Sequence, residues 1–306
     1  MIIAAGASLS RILRDVGRVA GLLLFYDTCV AIAYVIFGWS WLSMPHIPLA
    51  IFGGVIGVIV GFRNTSSYAR WWEARTLWGQ VVNQSRNLGR QTLSMIEPAE
   101  PSDASAFESS DVQRQVILLQ VAYVHALRCQ LRGLLPLQDL KQILGAETIE
   151  RFRTSTNVPL SIQKQISSLL TKCFELGWID SVRWAAIDRS LSELLNAQGG
   201  LERIKNTPIP KQYDVFPQIF VTVYCLLLPL GMVADLGLFT PLGSTLVGLI
   251  LLTLDEIGRD LENPFENKVH DLPLNAIARN IEIDLKELLQ DPNVPEPEKA
   301  VDGVLW

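Results

Sequence analysis

The stretch RNTSSYARWWEARTLWGQ, residues 63 to 80, places Arg63, Arg70, Trp71, Trp72, Glu73 and Arg75 directly after an apolar run that ends at Phe62. Tryptophan beside arginine suits a cation–π platform, an interface anchor or a membrane-surface belt. Arg70 and Glu73 stand three apart, close enough to pair on one helix face. A belt accounts for one or two tryptophans. It gives no reason for Glu73 to sit between Arg70 and Arg75, which asks for contacts with neighbouring helices, Trp78 included.

A second dense stretch, DEIGRDLENPFENKVHDLPL, begins at Asp255. Asp255, Asp260, Glu262, Glu266 and Asp271 are the hard oxygen ligands that Mg²⁺ or Ca²⁺ takes. Their spacing fits neither an EF-hand loop nor a phosphotransferase motif. Asn263 and Pro264 read instead as a turn ending a helix, and Asp271, Leu272 and Pro273 as the start of another segment. His46, His125 and His270 stand alone, with no HExxH, GxSxG or P-loop around them. Nothing positive supports an enzyme, and no cofactor or metal is expected. Cys29, Cys129, Cys173 and Cys225 are widely spaced, so buried free thiols are expected rather than disulfides or a zinc site.

The elements that carry these residues follow from hydropathy. Hydrophobic residues make up 49% of the 306, mean hydropathy is +0.26, and the apolar residues are clumped. The net charge of −5 argues against nucleic-acid partners, which need uncompensated Lys and Arg. Four apolar spans stand out: Val19–Leu42, Ile47–Phe62, Val215–Ala234 and Phe239–Leu254. The second is short and crosses a bilayer only if its helix continues through Arg63 to Tyr68 or if protein surrounds it. Neither the spans nor the outer loops, about Ser43–His46 and Asp235–Leu238, contain Lys or Arg. The positive-inside rule then puts both termini and the middle block on the cytoplasmic side, in the cell membrane if the source is bacterial. The N-terminus lacks the pattern of a cleaved signal peptide and reads as a lead into a retained helix.

The expected layout is an all-α membrane protein: a cytoplasmic segment 1–18, two transmembrane helices in 19–62, a helical cytoplasmic region 63–214, two more transmembrane helices in 215–254, and a cytoplasmic tail 255–306. Helical periodicity begins at Val112 and recurs from Ser161 and Ser181, with a break or cap expected at Gly199 and Gly200. Pro98–Asp111 reads as a flexible loop, and LQDPNVPEPEKAVDG near the C-terminus as loosely ordered.

Within the second span, Gly53, Gly57 and Gly61 fall on one helix face, a small-residue row that lets backbones approach closely. The row beside it is Gly54, Val58 and Phe62. If the glycine face is held against neighbouring subunits, the second row turns toward the axis of a ring and lines a narrow, greasy pore. Ordinary packing within one subunit, with Phe62 facing lipid, fits the spacing as well. Spacing leaves both open.

GFRNTSSYARWWEARTLWGQ followed by SRNLGRQ resembles the marker after the second transmembrane helix in the prokaryotic branch of the bestrophin family. NTPIPKQY before the third span and DEIGRDLENPFENKVHDLPL after the fourth resemble that family's other two markers, in the same order. The resemblance implies a homopentameric ion channel in a lipid bilayer, with four transmembrane helices per subunit and inorganic ions, chloride among them, as cargo. It also implies a hydrophobic neck on the second helix, at Phe62, Val58 and Gly54 from the inside outward. A cytoplasmic constriction is implied at or near Leu191, counting back from Tyr213. Two departures matter. Gly54 brings no side chain where the family has a bulky one, so the outer neck is wider or Val55 fills it. ENPFENKVHDLP lacks the run of consecutive acids with which animal members bind Ca²⁺, so no tight Ca²⁺ clasp is expected. A cation-selective channel of the same architecture and a non-conducting membrane scaffold are the rival readings.

Overall fold

The computed structural model describes residues 9–44, 48–98, 103–145, 148 and 150–306; His46 and part of the expected loop after Pro98 lie outside them. Nine α-helices are present among the described residues: α1 (Leu9–Val35), α2 (Leu49–Met95), α3 (Asp103–Leu131), α4 (Leu137–Leu144), α5 (Val158–Glu175), α6 (Ser181–Asn206), α7 (Lys211–Leu236), α8 (Thr240–Glu262) and α9 (Leu274–Leu288). The chain divides into two compact units, one of Ile2–Trp72 with Pro208–Pro264 and one of Glu73–Thr207 with Phe265–Trp306. The seams lie beyond the apolar spans: α2 and α8 run on as helices past Phe62 and Leu254, and α7 starts at Lys211, ahead of Val215.

In the first unit, Gly17–Val35, part of α2, and the α7–α8 stretch Lys211–Glu262 are long and apolar enough to cross a membrane. The first expected span does not reach Leu42 as one helix. Gly38, at φ +68°, turns the chain after Val35, and Ser40–Leu42 form a separate 3₁₀ turn. The second span continues through Arg63 and Tyr68 without a break, so α2 runs 47 residues, about 70 Å of helix. Ile56 and Val60 of α2 pack on Val221, Tyr224, Cys225 and Leu228 of α7 and Leu251 of α8. The Tyr224 hydroxyl donates to the Leu49 carbonyl at 3.1 Å. A Cβ at Gly53 would lie 2.5 Å from that hydroxyl, so the close approach needs glycine there. Asp27 is buried on α1 and accepts hydrogen bonds from Ser244 (2.5 Å) and Thr245 (2.7 Å) of α8. A carboxylate in an apolar span thus finds its partners on another helix.

The second unit is built around α3, which is buried on nearly every side from Val116 to Leu127 and packs against α4, α5 and α9. The helix begins at Asp103, well before Val112. Asp, Ala, Ser and Glu in DASAFESSD tolerate a helix start, and the expected flexible loop is correspondingly shorter. The stretch of α2 that belongs here buries Ala74, Trp78, Val81, Ser85 and Leu88. Helix α6 does not break at Gly199–Gly200 but continues to Asn206. Gly200 is there for contact: a Cβ would sit 2.8 Å from Leu77.

The C-terminal tail has no helix but is tied down. Asp291 takes Arg114 at 2.8 Å, Val301 and Val304 form a bridge, and the Trp306 carbonyl accepts from the Ala276 N–H at 2.8 Å. The four thiols are free, three of them buried and Cys29 exposed.

Between α3 and α9, Glu282 is held by His125 (3.0 Å), Lys286 (2.8 Å) and Arg279 (3.3 Å). Burial opposes its ionisation, but the hydrogen bonds and charges of His125 and Lys286 prevail and hold the carboxyl down to about 2. The sign follows. A depressed carboxyl stabilises the fold fully above its unfolded value of 4.5, and that contribution is lost as pH falls toward about 2. We expect the denaturant midpoint of the detergent-solubilised full-length protein to drop through this window, by on the order of 3 kcal/mol in stability. Glu282→Gln should lower stability at neutral pH and flatten the drop; an equally steep drop in the variant would assign it to other groups.

Candidate functional site

Helix periodicity sets what α2 can present. Its inward stripe in the first unit is Ile56, Val60, Arg63 and Ser67, all buried. At about 100° per residue, Val58 points almost opposite that stripe, with Gly54 and Phe62 flanking it. Phe62 is 68% and Val58 58% exposed, and Gly54 has open space where a side chain would stand. Val55 is exposed beside them. The three positions named from the resemblance therefore share one apolar face turned away from the subunit's own core. Of the glycine row, a Cβ at Gly53 would strike Tyr224, whereas one at Gly57 or Gly61 would meet nothing within 4 Å among the described residues.

One residue past Phe62 the chemistry inverts. Arg63 is 2% exposed and reaches the Asp255 carboxylate at 2.5 Å and the Asp214 carboxylate at 2.8 Å. It also donates to the Asp255 carbonyl at 3.3 Å. Asn64 donates to the Leu254 carbonyl at 2.8 Å and presses on Gly258, where a Cβ would collide with its Oδ1. Arg259 approaches the second Asp255 oxygen at 3.6 Å. Two cations and two carboxylates thus lock α2 to α7 and α8. Spacing gave no hint of this cluster. From sequence, Asp255 reads as one of several possible metal ligands and Arg63 as part of the Arg/Trp stretch, with nothing linking either to Asp214.

The Arg/Trp signature is used differently from the expected local pair. The Arg70 Nε donates to the Glu262 carbonyl at 2.8 Å, satisfying the end of α8 just before Asn263 and Pro264. Two signature stretches far apart in sequence meet there. Glu73 pairs with Arg203 of α6 at 2.5 Å. Trp71 is half-buried, Trp72 is 55% exposed, and the Tyr68 ring stacks on both at 6.4 and 6.3 Å. The Arg75 guanidinium lies beside Gly79. Glu266 pairs with Lys268 at 2.5 Å, and Asp271 accepts the Lys268 N–H at 3.0 Å, so these two acids serve the turn.

Leu191 does not face outward. It is 4% exposed on the inner side of α6, in line with Ile187, Leu194 and Ala197. Leu195, one turn further along α6, is exposed.

The chain thus pairs long apolar helices with an apolar α2 face that its own core leaves open, ending at a buried ionic cluster. Residues 2–287 match the family described as Bacterial/Fungal Bestrophin protein. The chain is 33% identical over 281 residues to a voltage-dependent anion channel-forming protein of Ralstonia nicotianae, covering 90% of this chain and 89% of that one. It is 31% identical over 276 residues to its Escherichia coli K12 namesake, covering 90% and 87%. Among solved structures, a bacterial bestrophin homologue from Klebsiella pneumoniae matches with TM-score 0.81 and 31% identity, over 89% of this chain and 97% of that one. The chain belongs to the bacterial and fungal bestrophin family.

Proposed function

We propose that the chain is one subunit of a pentameric anion channel that conducts chloride passively through a hydrophobic neck of Gly54, Val58 and Phe62. It crosses the bilayer four times, through α1, the first part of α2, α7 and α8, with both termini and the middle region cytoplasmic. The observation that carries this reading is the exposed row at Val58 and Phe62, opposite the buried stripe of the same helix. The four crossings and their direction are supported by the absence of Lys and Arg from residues 19–62 and 215–254. Assembly is supported by Gly57 and Gly61, where a Cβ would meet nothing within 4 Å among the described residues, leaving room for a neighbouring helix. Rings of Val and Phe cannot coordinate an ion; they set the diameter and the cost of dehydration.

The deciding measurement is the reversal potential of the purified protein in a planar bilayer under a KCl gradient. Reversal near the chloride equilibrium potential is expected. Reversal near the potassium potential would keep the neck and overturn the selectivity. A purified protein that is monomeric and silent would favour the scaffold.

A further inference from the structure

We infer that Arg63 is the positioning residue of the neck: its buried fork to Asp255 and Asp214 fixes the rotation of α2 and so the direction in which Phe62 points. The inference rests on the neck reading above and adds to it a cause for the neck's geometry.

Apolar contacts alone hold a helix loosely about its own axis. Ile56 and Val60 meet a surface of Val221, Tyr224, Cys225, Leu228 and Leu251 through contacts that carry no direction of their own. A guanidinium is different. Its planar fork binds only where two acceptors stand at the right separation. Here one nitrogen serves the Asp255 carboxylate and carbonyl and the other serves Asp214 on a second helix. Asn64, one step along, takes the carbonyl before Asp255 on the same helix. These four hydrogen bonds come from adjacent residues of α2, and turning the helix breaks all of them together. Phe62 adjoins Arg63 on the backbone and lies about 100° around the helix from it, so the angle that satisfies the fork also sets the ring's direction. Burial of Arg63 and Asp255 makes a half-broken cluster costly, which gives the arrangement one defined register instead of a range.

The test uses the full-length channel in planar bilayers, with unitary conductance and open probability as readouts and size-exclusion chromatography to confirm assembly. Arg63→Lys keeps the charge and loses the fork. Asp214→Asn removes one arm at a carboxylate that is 37% exposed, and Asp214→Glu is the conservative control. We expect Arg63→Lys and Asp214→Asn to shift the open-to-closed ratio about twofold to thirtyfold, the range seen for residues coupled through packed networks. Asp214→Glu should retain most of the parent behaviour, and neither variant should add an effect once Phe62→Ala is present. Unchanged gating in both, or full additivity with Phe62→Ala, would overturn the inference while leaving the neck intact. A Phe62→Ala variant that assembles and conducts as the parent does would overturn the neck itself. Should Arg63→Lys fail to assemble, the Asp214 pair decides alone.

Discussion

Phe62→Ala is expected to raise unitary conductance roughly fivefold, the effect of lowering the crossing barrier by about 1 kcal/mol. Phe62 carries the largest side chain of the exposed row and has nothing of its own subunit to hold it. Truncation therefore widens the neck without opening a cavity in the core. Gating by dewetting depends on the diameter of an apolar constriction, so the closed state should also leak. The check is single-channel recording beside the parent protein, with the unfolding midpoint as control. An unchanged conductance with intact assembly would mean that the row faces lipid.

Trp78→Ala should cost about 3–5 kcal/mol of folding stability, read as a lower unfolding midpoint of the full-length protein in detergent. Trp78 is fully buried in the second unit, in one stripe with Ala74, Val81 and Leu88. Its indole nitrogen has no hydrogen-bond partner among the described residues. The residue therefore acts through volume, and Trp78→Phe should recover a large part of the loss. Equal losses for Ala and Phe would point to a polar role instead. A helix that leaves an apolar span and joins a second core needs aromatic bulk on one side and charge on the other.

What could be read from sequence depended on whether the signal was local. Phe62, Val58 and Gly54 share a face by simple helical spacing, and the structure leaves that face open. The onset of α3 was missed because a polar run rich in Ser and Asp reads as loop until the core that receives it is known. The tail's prolines disfavour helix, and its composition reads as loosely ordered. That content says nothing of Asp291 finding Arg114 across 177 residues. Distance in sequence hid the Arg63–Asp255 pair as well, 192 residues apart. The position at or near Leu191 rests on a count back from Tyr213. Counting residues through loops loses helical phase, and an error of one position turns a side chain by about 100°.

The missing side chain at Gly54 bears on electrical behaviour. In the proposed neck, with Val58 and Phe62 as the bulky members of the row and Val55 left aside, the dry part of the pathway would be about 6 Å of helix rise, whereas a third ring one turn out would make it about 12 Å. Membrane voltage falls across the stretch that water and mobile ions do not fill. Each elementary charge gains or loses about 2.3 kcal/mol per 100 mV, and a dry zone of half the length makes the local field twice as steep. A neck of the proposed kind, shortened by one glycine, would therefore act as a field concentrator, with small shifts of the Phe62 ring felt where the gradient is greatest.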